Sequence, residues 1–236
     1  PVLAPIGPKT VNEGTLLSFT ISATDADLPA QTLTYGATGL PTGATFNAAT
    51  RTFSWTPTEA QGPSAPIVTF SVSDGIATVS EAVTITVTEV NVAPVLTPIG
   101  PKTVAEGSLL SFTISATDAD LPAQTLTYSA TGLPTGATFN SATRTFSWTP
   151  TEAQGPSAPV VTFSVTDGIV TTSEAVTITV TEVNVAPVLT AIGPKTVAEG
   201  SLLSFTISAT DADVPTQTLI YSATGLPTGA TFNAAT

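Results

Sequence analysis

The 236-residue chain carries 17 acidic and 5 basic side chains, a net charge of −12, and no Cys, His or Met. That balance argues against nucleic acid and anionic membrane surfaces as partners, and the lack of cysteine removes disulfides, thiolate metal sites and thiol catalysis. With 42% hydrophobic but only 9% charged residues, the apolar share being Val, Leu, Ile and Ala interleaved with Thr and Ser, the composition is that of half-buried strands. Taken in chain order, a first strand is expected over residues 3–10, where Pro5 and Pro8 suit an edge that lacks donors. Period-two alternation then marks strands at 17–21, 32–35, 52–55, 68–72 and 83–87, with a short one at 44–46. Between them fall Asp27-Leu28-Pro29, Leu40-Pro41-Thr42-Gly43, Gln61-Gly62-Pro63 and Asp74-Gly75, all turn formers. No stretch shows a helical period, and seven strands of this kind predict an all-β, immunoglobulin-like sandwich.

The same text then repeats. Pro-Val-Leu-Ala-Pro-Ile-Gly-Pro-Lys from Pro1 recurs as Pro-Val-Leu-Thr-Pro-Ile-Gly-Pro-Lys from Pro94 and as Pro-Val-Leu-Thr-Ala-Ile-Gly-Pro-Lys from Pro187, a shift of 93 residues each time, and the first two copies differ at about nine positions. A period of this length is a whole sandwich domain, too long for a solenoid turn. The expected domains are therefore 1–93, 94–186 and the N-terminal half of a third at 187–236. The linkers at 90–94 and 183–187 are too short for free tumbling. The third copy lacks the strands that would cover Leu203, Phe205 and Ile207, so on its own it is expected to be poorly ordered or prone to aggregation. No apolar run approaches the roughly 18 residues of a bilayer span, and any secretion signal is expected outside this stretch, which opens at Pro1 without an initiator methionine.

Each complete copy carries seven acids; in the first they are Glu13, Asp25, Asp27, Glu59, Asp74, Glu81 and Glu89. In a sandwich whose strands run the full length, successive loops alternate between the two poles. Glu13, Glu59 and Glu89 then fall at the C-terminal pole beside Asn91, while Asp25, Asp27 and Asp74 fall at the N-terminal one. Stacking copies would bring Glu13, Glu59, Glu89 and Asn91 toward Asp118, Asp120 and Asp167. A second, incomplete set joins Glu106, Glu152, Glu182 and Asn184 to Asp211 and Asp213. Two unit charges 4 Å apart repel by about 4 kcal/mol at an effective dielectric of 20, and Ca2+, which takes 6–8 hard oxygen ligands, would relieve such crowding. Equally, Asp is a common turn residue and acidic loops can simply solvate the poles. Spacing alone leaves both readings open.

Several motifs resemble a known family. Ala-Thr-Asp-Ala-Asp at 23–27, 116–120 and 209–213 looks like the Asp-x-Asp segment of cadherin repeats, and the Glu of Val-Asn-Glu-Gly and Val-Ala-Glu-Gly like their first-loop glutamate. Asp74 and Asp167 resemble the late aspartate, and Glu-Val-Asn-Val-Ala-Pro the linker motif. Gly-Leu-Pro-Thr-Gly-Ala-Thr-Phe-Asn followed by Phe-Ser-Trp-Thr-Pro-Thr-Glu-Ala-Gln-Gly is similar to the dystroglycan-type cadherin-like and immunoglobulin-like repeats of large bacterial surface proteins. The resemblance covers the whole chain. It implies tandem seven-stranded sandwiches, Ca2+ between modules, export to the cell surface, and a role in adhesion or as a stalk. Val92 and Val185 stand where a linker aspartate is common, and a lone Glu59 or Glu152 replaces an Asp-x-Glu pair, so roughly one or two ions per junction are expected.

Other chemistry is poorly provided for. Trp55 and Trp148 could stack sugars, but they alternate in phase with Phe53 and Phe146 and read as core, as do Tyr35 and Tyr128. There is no His to act as a base, Lys occurs only at Lys9, Lys102 and Lys195, and no phosphate loop is present. Spacing leaves a glycosidase-like carboxylate pair open, but an almost verbatim duplication without variable substrate loops argues against it, so no enzyme is expected. Two functions remain: a spacer whose junctions stiffen with Ca2+ and whose partners are its neighbouring repeats, or an array whose modules each bind a cell-surface glycan or protein without calcium.

Overall fold

A computed structural model describes residues 1–235. They form two compact units: one of Pro1–Pro94 with Asp118–Leu126 and Asp167–Val170, the other of Val95–Thr117, Thr127–Thr166 and the described residues from Thr171 on.

The first unit contains β1 (Val2–Leu3), β2 (Lys9–Asn12), β3 (Leu17–Thr20), β4 (Ala23–Thr24), β5 (Thr34–Thr38), β6 (Thr45–Asn47), β7 (Thr52–Trp55), β8 (Ile67–Ser73) and β9 (Thr78–Thr88). One sheet has the order β2-β9-β8-β5 and the other β3-β7-β6, with β1 paired to β4. Counting β1 with β2 and β3 with β4 as interrupted strands gives seven, an all-β immunoglobulin-like and cadherin-like topology.

The first strand is not the single edge strand expected over 3–10. β1 runs antiparallel to β4, with Leu3 opposite Ala23, whereas β2 runs parallel to β9, with Lys9 opposite Ile85. It changes sheet at Pro5–Pro8, where the prolines cannot donate, and the two N–H groups stranded in the crossing are taken by one side chain. Ile6 donates to Glu81 Oε2 at 2.9 Å and Gly7 to Glu81 Oε1 at 2.8 Å. β5 begins two residues later than its pattern suggested, at Thr34 opposite Ser73, and runs on to Thr38 because Gly36 and Ala37 pair in the ladder without offering large apolar side chains. β9 reaches back to Thr78 through a polar, largely exposed segment that pairs with β8.

Alternate residues of each strand fill the space between the sheets. Val68, Phe70 and Val72 of β8, Val83, Ile85 and Val87 of β9, and Phe53 and Trp55 of β7 are all buried. Phe70 is the centre: its ring meets Phe19, Phe46 and Phe53 of the opposite sheet edge-on, at 5.6, 5.7 and 5.7 Å between centroids. Trp55 is only 2% exposed, and its indole N–H donates to Thr42 O at 3.2 Å, a core role as expected.

The second unit repeats the plan in β10 (Val95–Leu96), β11 (Lys102–Ala105), β12 (Leu110–Thr113), β13 (Ala116–Thr117), β14 (Thr127–Thr131), β15 (Thr138–Asn140), β16 (Thr145–Trp148), β17 (Val160–Thr166) and β18 (Thr171–Thr181). Its sheets are β11-β18-β17-β14 and β12-β16-β15, and Phe163 takes the central place against Phe112, Phe139 and Phe146. From the third copy, β19 (Val188–Leu189) pairs with β20 (Ala209–Thr210) as the only strands among the described residues, and Phe205 there is 50% exposed. No helix among the described residues is long and apolar enough to cross a membrane.

Candidate functional site

Three loops of the first unit bring Glu13, Glu59 and Glu89 together. Glu13 follows β2, where its N–H donates to Thr88 O at 3.1 Å. The chain then reverses at Gly14, whose φ of +68° lies in the left-handed region that explains the Glu-Gly pair. Glu59 opens a 3-10 turn, Glu59–Gln61, closed by Gln61 N–H to Thr58 O at 2.8 Å and by Thr58 N–H to Gln61 Oε1 at 2.9 Å. Glu89 is the first residue after β9. Each of the three carboxylates offers an oxygen, and these oxygens lie within 4.8 Å of one another.

Their hydrogen bonding is incomplete. Glu13 is 6% exposed; its Oε1 accepts the Val90 N–H at 3.0 Å, while its buried Oε2 has no hydrogen-bond partner. Neither oxygen of Glu89 has one either. Glu59 Oε1 accepts the Leu121 N–H at 2.8 Å. Desolvation holds the Glu89 carboxyl above the usual range, and the charges of Glu13, Glu59 and Asp120 push it further.

Asp118, Asp120 and Asp167, all in the same unit, form a second triad within 4.8 Å. Asp118 Oδ1 accepts the Asp120 N–H at 3.0 Å, the local turn that an Asp-x-Asp sequence favours, leaving the buried Oδ2 unpartnered. Asp120 Oδ1 accepts the Val92 N–H at 2.9 Å. Asp167 Oδ1 accepts Ile169 and Val170 N–H, both at 2.7 Å, and Asn91 Nδ2 donates to its Oδ2 at 2.9 Å. The Val170 N–H, followed by Asn91 and the Ile169 N–H, holds Asp167 below the usual carboxylate range. Of the seven expected residues, Glu13, Glu59 and Glu89 make one triad and Asp118, Asp120 and Asp167 another, with Asn91 bonded to Asp167.

Gln124 escaped the sequence reading. Its Nε2 donates at 3.0 Å both to Asn91 Oδ1 and to Asp120 Oδ2, so an amide chain runs Asp167–Asn91–Gln124–Asp120. The signal was present, since Gln31, Gln124 and Gln217 recur at the repeat spacing, but a glutamine beside Leu-Pro-Ala reads as a loop residue. A third triad, Asp25, Asp27 and Asp74, lies at the N-terminal pole of the first copy.

In the second unit Glu106, Glu152 and Glu182 reproduce the glutamate triad. Glu106 Oε1 accepts the Val183 N–H at 2.9 Å, and its Oε2 and both Glu182 oxygens are again unpartnered. Desolvation raises the Glu182 carboxyl, with Glu106, Glu152 and Asp213 adding to it. Asp211 Oδ1 accepts the Asp213 N–H at 3.1 Å, Asp213 Oδ1 accepts the Val185 N–H at 2.9 Å, and Gln217 Nε2 donates to Asp213 Oδ2 at 2.9 Å and to Asn184 Oδ1 at 3.1 Å. Glu152 Oε1 accepts the Val214 N–H at 2.8 Å.

The five basic side chains are engaged elsewhere. Lys9, Arg51, Lys102, Arg144 and Lys195 lie over the rings of Phe19, Tyr35, Phe112, Tyr128 and Phe205, at 5.3 to 5.7 Å. What the glutamate triads offer chemically is a set of hard, anionic, partly desolvated oxygens, several of them without a hydrogen-bond donor. Such donors suit a hard divalent cation of the Ca2+ type.

Comparison with known proteins bears on the repeats. The profile of the family described as "Putative Ig domain" matches residues 1–88, 93–181 and 186–236. A "Serine-rich adhesin for platelets" of Staphylococcus aureus (strain MRSA252) is 32% identical over 146 residues, 62% of this chain and 10% of that protein. The chain therefore spans only a small part of the length of that relative. Among solved structures, human protocadherin-24 EC1-2 is similar at 18% identity and a TM-score of 0.44, covering 77% of this chain and 98% of that one. The titin domains z1z2 are similar at 14% identity and a TM-score of 0.38, covering 77% and 94%. Matched in three successive copies over nearly its whole length, the chain belongs to the Putative Ig domain family.

Proposed function

We propose that this chain is a non-catalytic stretch of a surface-exposed adhesion or stalk array. Residues 1–93 and 94–186 are its successive modules, 187–236 open the next, and its carboxylate triads hold Ca2+. The observation that carries the reading is Glu13 Oε2, a buried carboxylate oxygen with no donor, in a set made only of carboxylates, and repeated as Glu106 Oε2. Burying charge without a partner is costly, so a native fold that does so twice is arranged for a countercharge. Bound Ca2+ supplies that positive charge and accepts oxygens in flexible geometry.

The chain's own part is to tie the triads to the linker. Glu13 holds the Val90 N–H, Asp120 holds the Val92 N–H, Asn91 is bonded to Asp167 and Gln124, and Glu59 grips Leu121. Filling the triads therefore restrains residues 90–94 as well as the loops. At free cation 100-fold above its dissociation constant, linkage adds about 2.7 kcal/mol per site to the bound form. The adhesin relative supports a surface setting. It also favours a second reading, in which each module binds a glycan or protein without calcium, although the buried Trp55 offers no stacking platform for a sugar.

Calorimetric titration with Ca2+, paired with small-angle scattering, tests the proposal. Saturable binding in the range of about 10⁻⁴–10⁻³ M, with a maximum dimension that changes reversibly on chelation, is expected. An absence of heat and an unchanged dimension would leave only the second reading.

A further inference from the structure

We infer that Gly62 and Gly155 are positioning residues for the cation sites, each leaving the space in which the neighbouring glutamate oxygen is held. The inference rests on the cation reading above and extends it to a residue that binds nothing itself.

Gly62 ends the 3-10 turn that carries Glu59, with φ −103° and ψ 150°, extended backbone that any residue adopts. Its conformation gives no reason for glycine. Space does: a Cβ built there would collide with Glu13 Oε2, and would stand 3.1 Å from the carboxyl carbon and 3.4 Å from the glutamate Cβ. The same holds at Gly155, φ −106° and ψ 149°, whose Cβ would collide with Glu106 Oε2 at the same 3.1 and 3.4 Å from the two carbons. The atom that fills the vacant Cβ position is, in both copies, the buried oxygen without a donor. The other oxygen is fixed to Val90 or Val183 N–H. Each glutamate side chain thus lies between a linker amide and a bare glycine, and the turn that brings Glu59 or Glu152 also sets where the unpartnered oxygen points.

Alanine at these positions displaces the far end of one side chain and leaves the backbone as it is. The expected result in the full chain is a Ca2+ affinity about 10–100-fold weaker in Gly62→Ala/Gly155→Ala, the usual cost of disturbing what orients a metal ligand, with melting in chelator matching the wild type. Glu13→Ala/Glu106→Ala should lose affinity as well, and the four substitutions together should lose no more than the glutamate pair alone, because the glycines act only through the glutamates.

Wild-type affinity in the glycine variant, or additive losses in the combined one, overturns the inference while leaving cation binding intact. A wild-type chain that takes up no Ca2+ overturns the reading beneath it and the inference with it. Should the glycine variant fail to fold, the combined variant decides: folding restored by removing the glutamates supports the steric pairing, and continued failure contradicts it.

Discussion

Replacing Glu81 by alanine should weaken the first module alone. Its carboxylate accepts both N–H groups that the sheet-switching segment strands, at 2.9 and 2.8 Å, and no backbone acceptor replaces it there. Removing the acceptor from a part-buried donor costs about 1–3 kcal/mol; with two donors that water can partly reach, about 2 kcal/mol is expected. For a module of this size about 1 kcal/mol moves the melting temperature by 4–8 °C, so roughly 8–16 °C separates the altered module from its near-identical neighbour, where Glu174 accepts the Ile99 and Gly100 N–H groups in the same way. Calorimetry should then resolve a shared thermal transition into two. The effect depends on pH with a definite sign. The Ile6 and Gly7 N–H groups, with Lys9 assisting, hold the Glu81 carboxyl below its ordinary value. Its contribution is therefore fully present above the unfolded glutamate value and lost as pH falls through the lower folded one. The gap between wild type and variant should be constant near neutrality and shrink in acid. An unsplit transition, or a gap that persists undiminished into strong acid, would refute the reasoning.

Phe70→Ala removes the ring that meets Phe19, Phe46 and Phe53, and should cost about 3–5 kcal/mol by denaturant unfolding; a loss below about 1 kcal/mol would contradict the packing described. Asp118→Ala with Asp120→Ala should abolish the Ca2+ heat at that triad while circular dichroism keeps its β signature. Because Glu89 and Glu182 hold their protons to higher pH than usual, Ca2+ uptake in mildly acidic buffer should release protons. Calorimetry in buffers of different ionisation enthalpy measures that release, and identical heats in all of them would count against it.

Much of the fold is written in local patterns. Thr52-Phe53-Ser54-Trp55 and Val68-Thr69-Phe70-Ser71-Val72 alternate cleanly because both strands press one face on the core. The near-identical copies at a constant spacing declare whole domains in series. What stayed hidden depends on partners distant in sequence. Glu81 was the one acid that the alternation of loops did not assign to a pole, and its partners lie 74 and 75 residues away. Nothing in Pro-Ile-Gly-Pro says that the strand changes sheets there. The acids of the site were legible as residues, since turns carry them at regular places. Their grouping into a glutamate and an aspartate triad depends on which loops meet in the fold, and the capture of Val90 by Glu13 and of Val92 by Asp120 links residues far apart in sequence.

The central claim concerns one oxygen. In a crystal grown with Ca2+, an ion at about 2.3–2.6 Å from Glu13 Oε2, sharing a carboxylate of Glu89 or Glu59, is the predicted result. Finding Glu13 Oε2 bonded only to water or to a protein donor at saturating Ca2+ would contradict it.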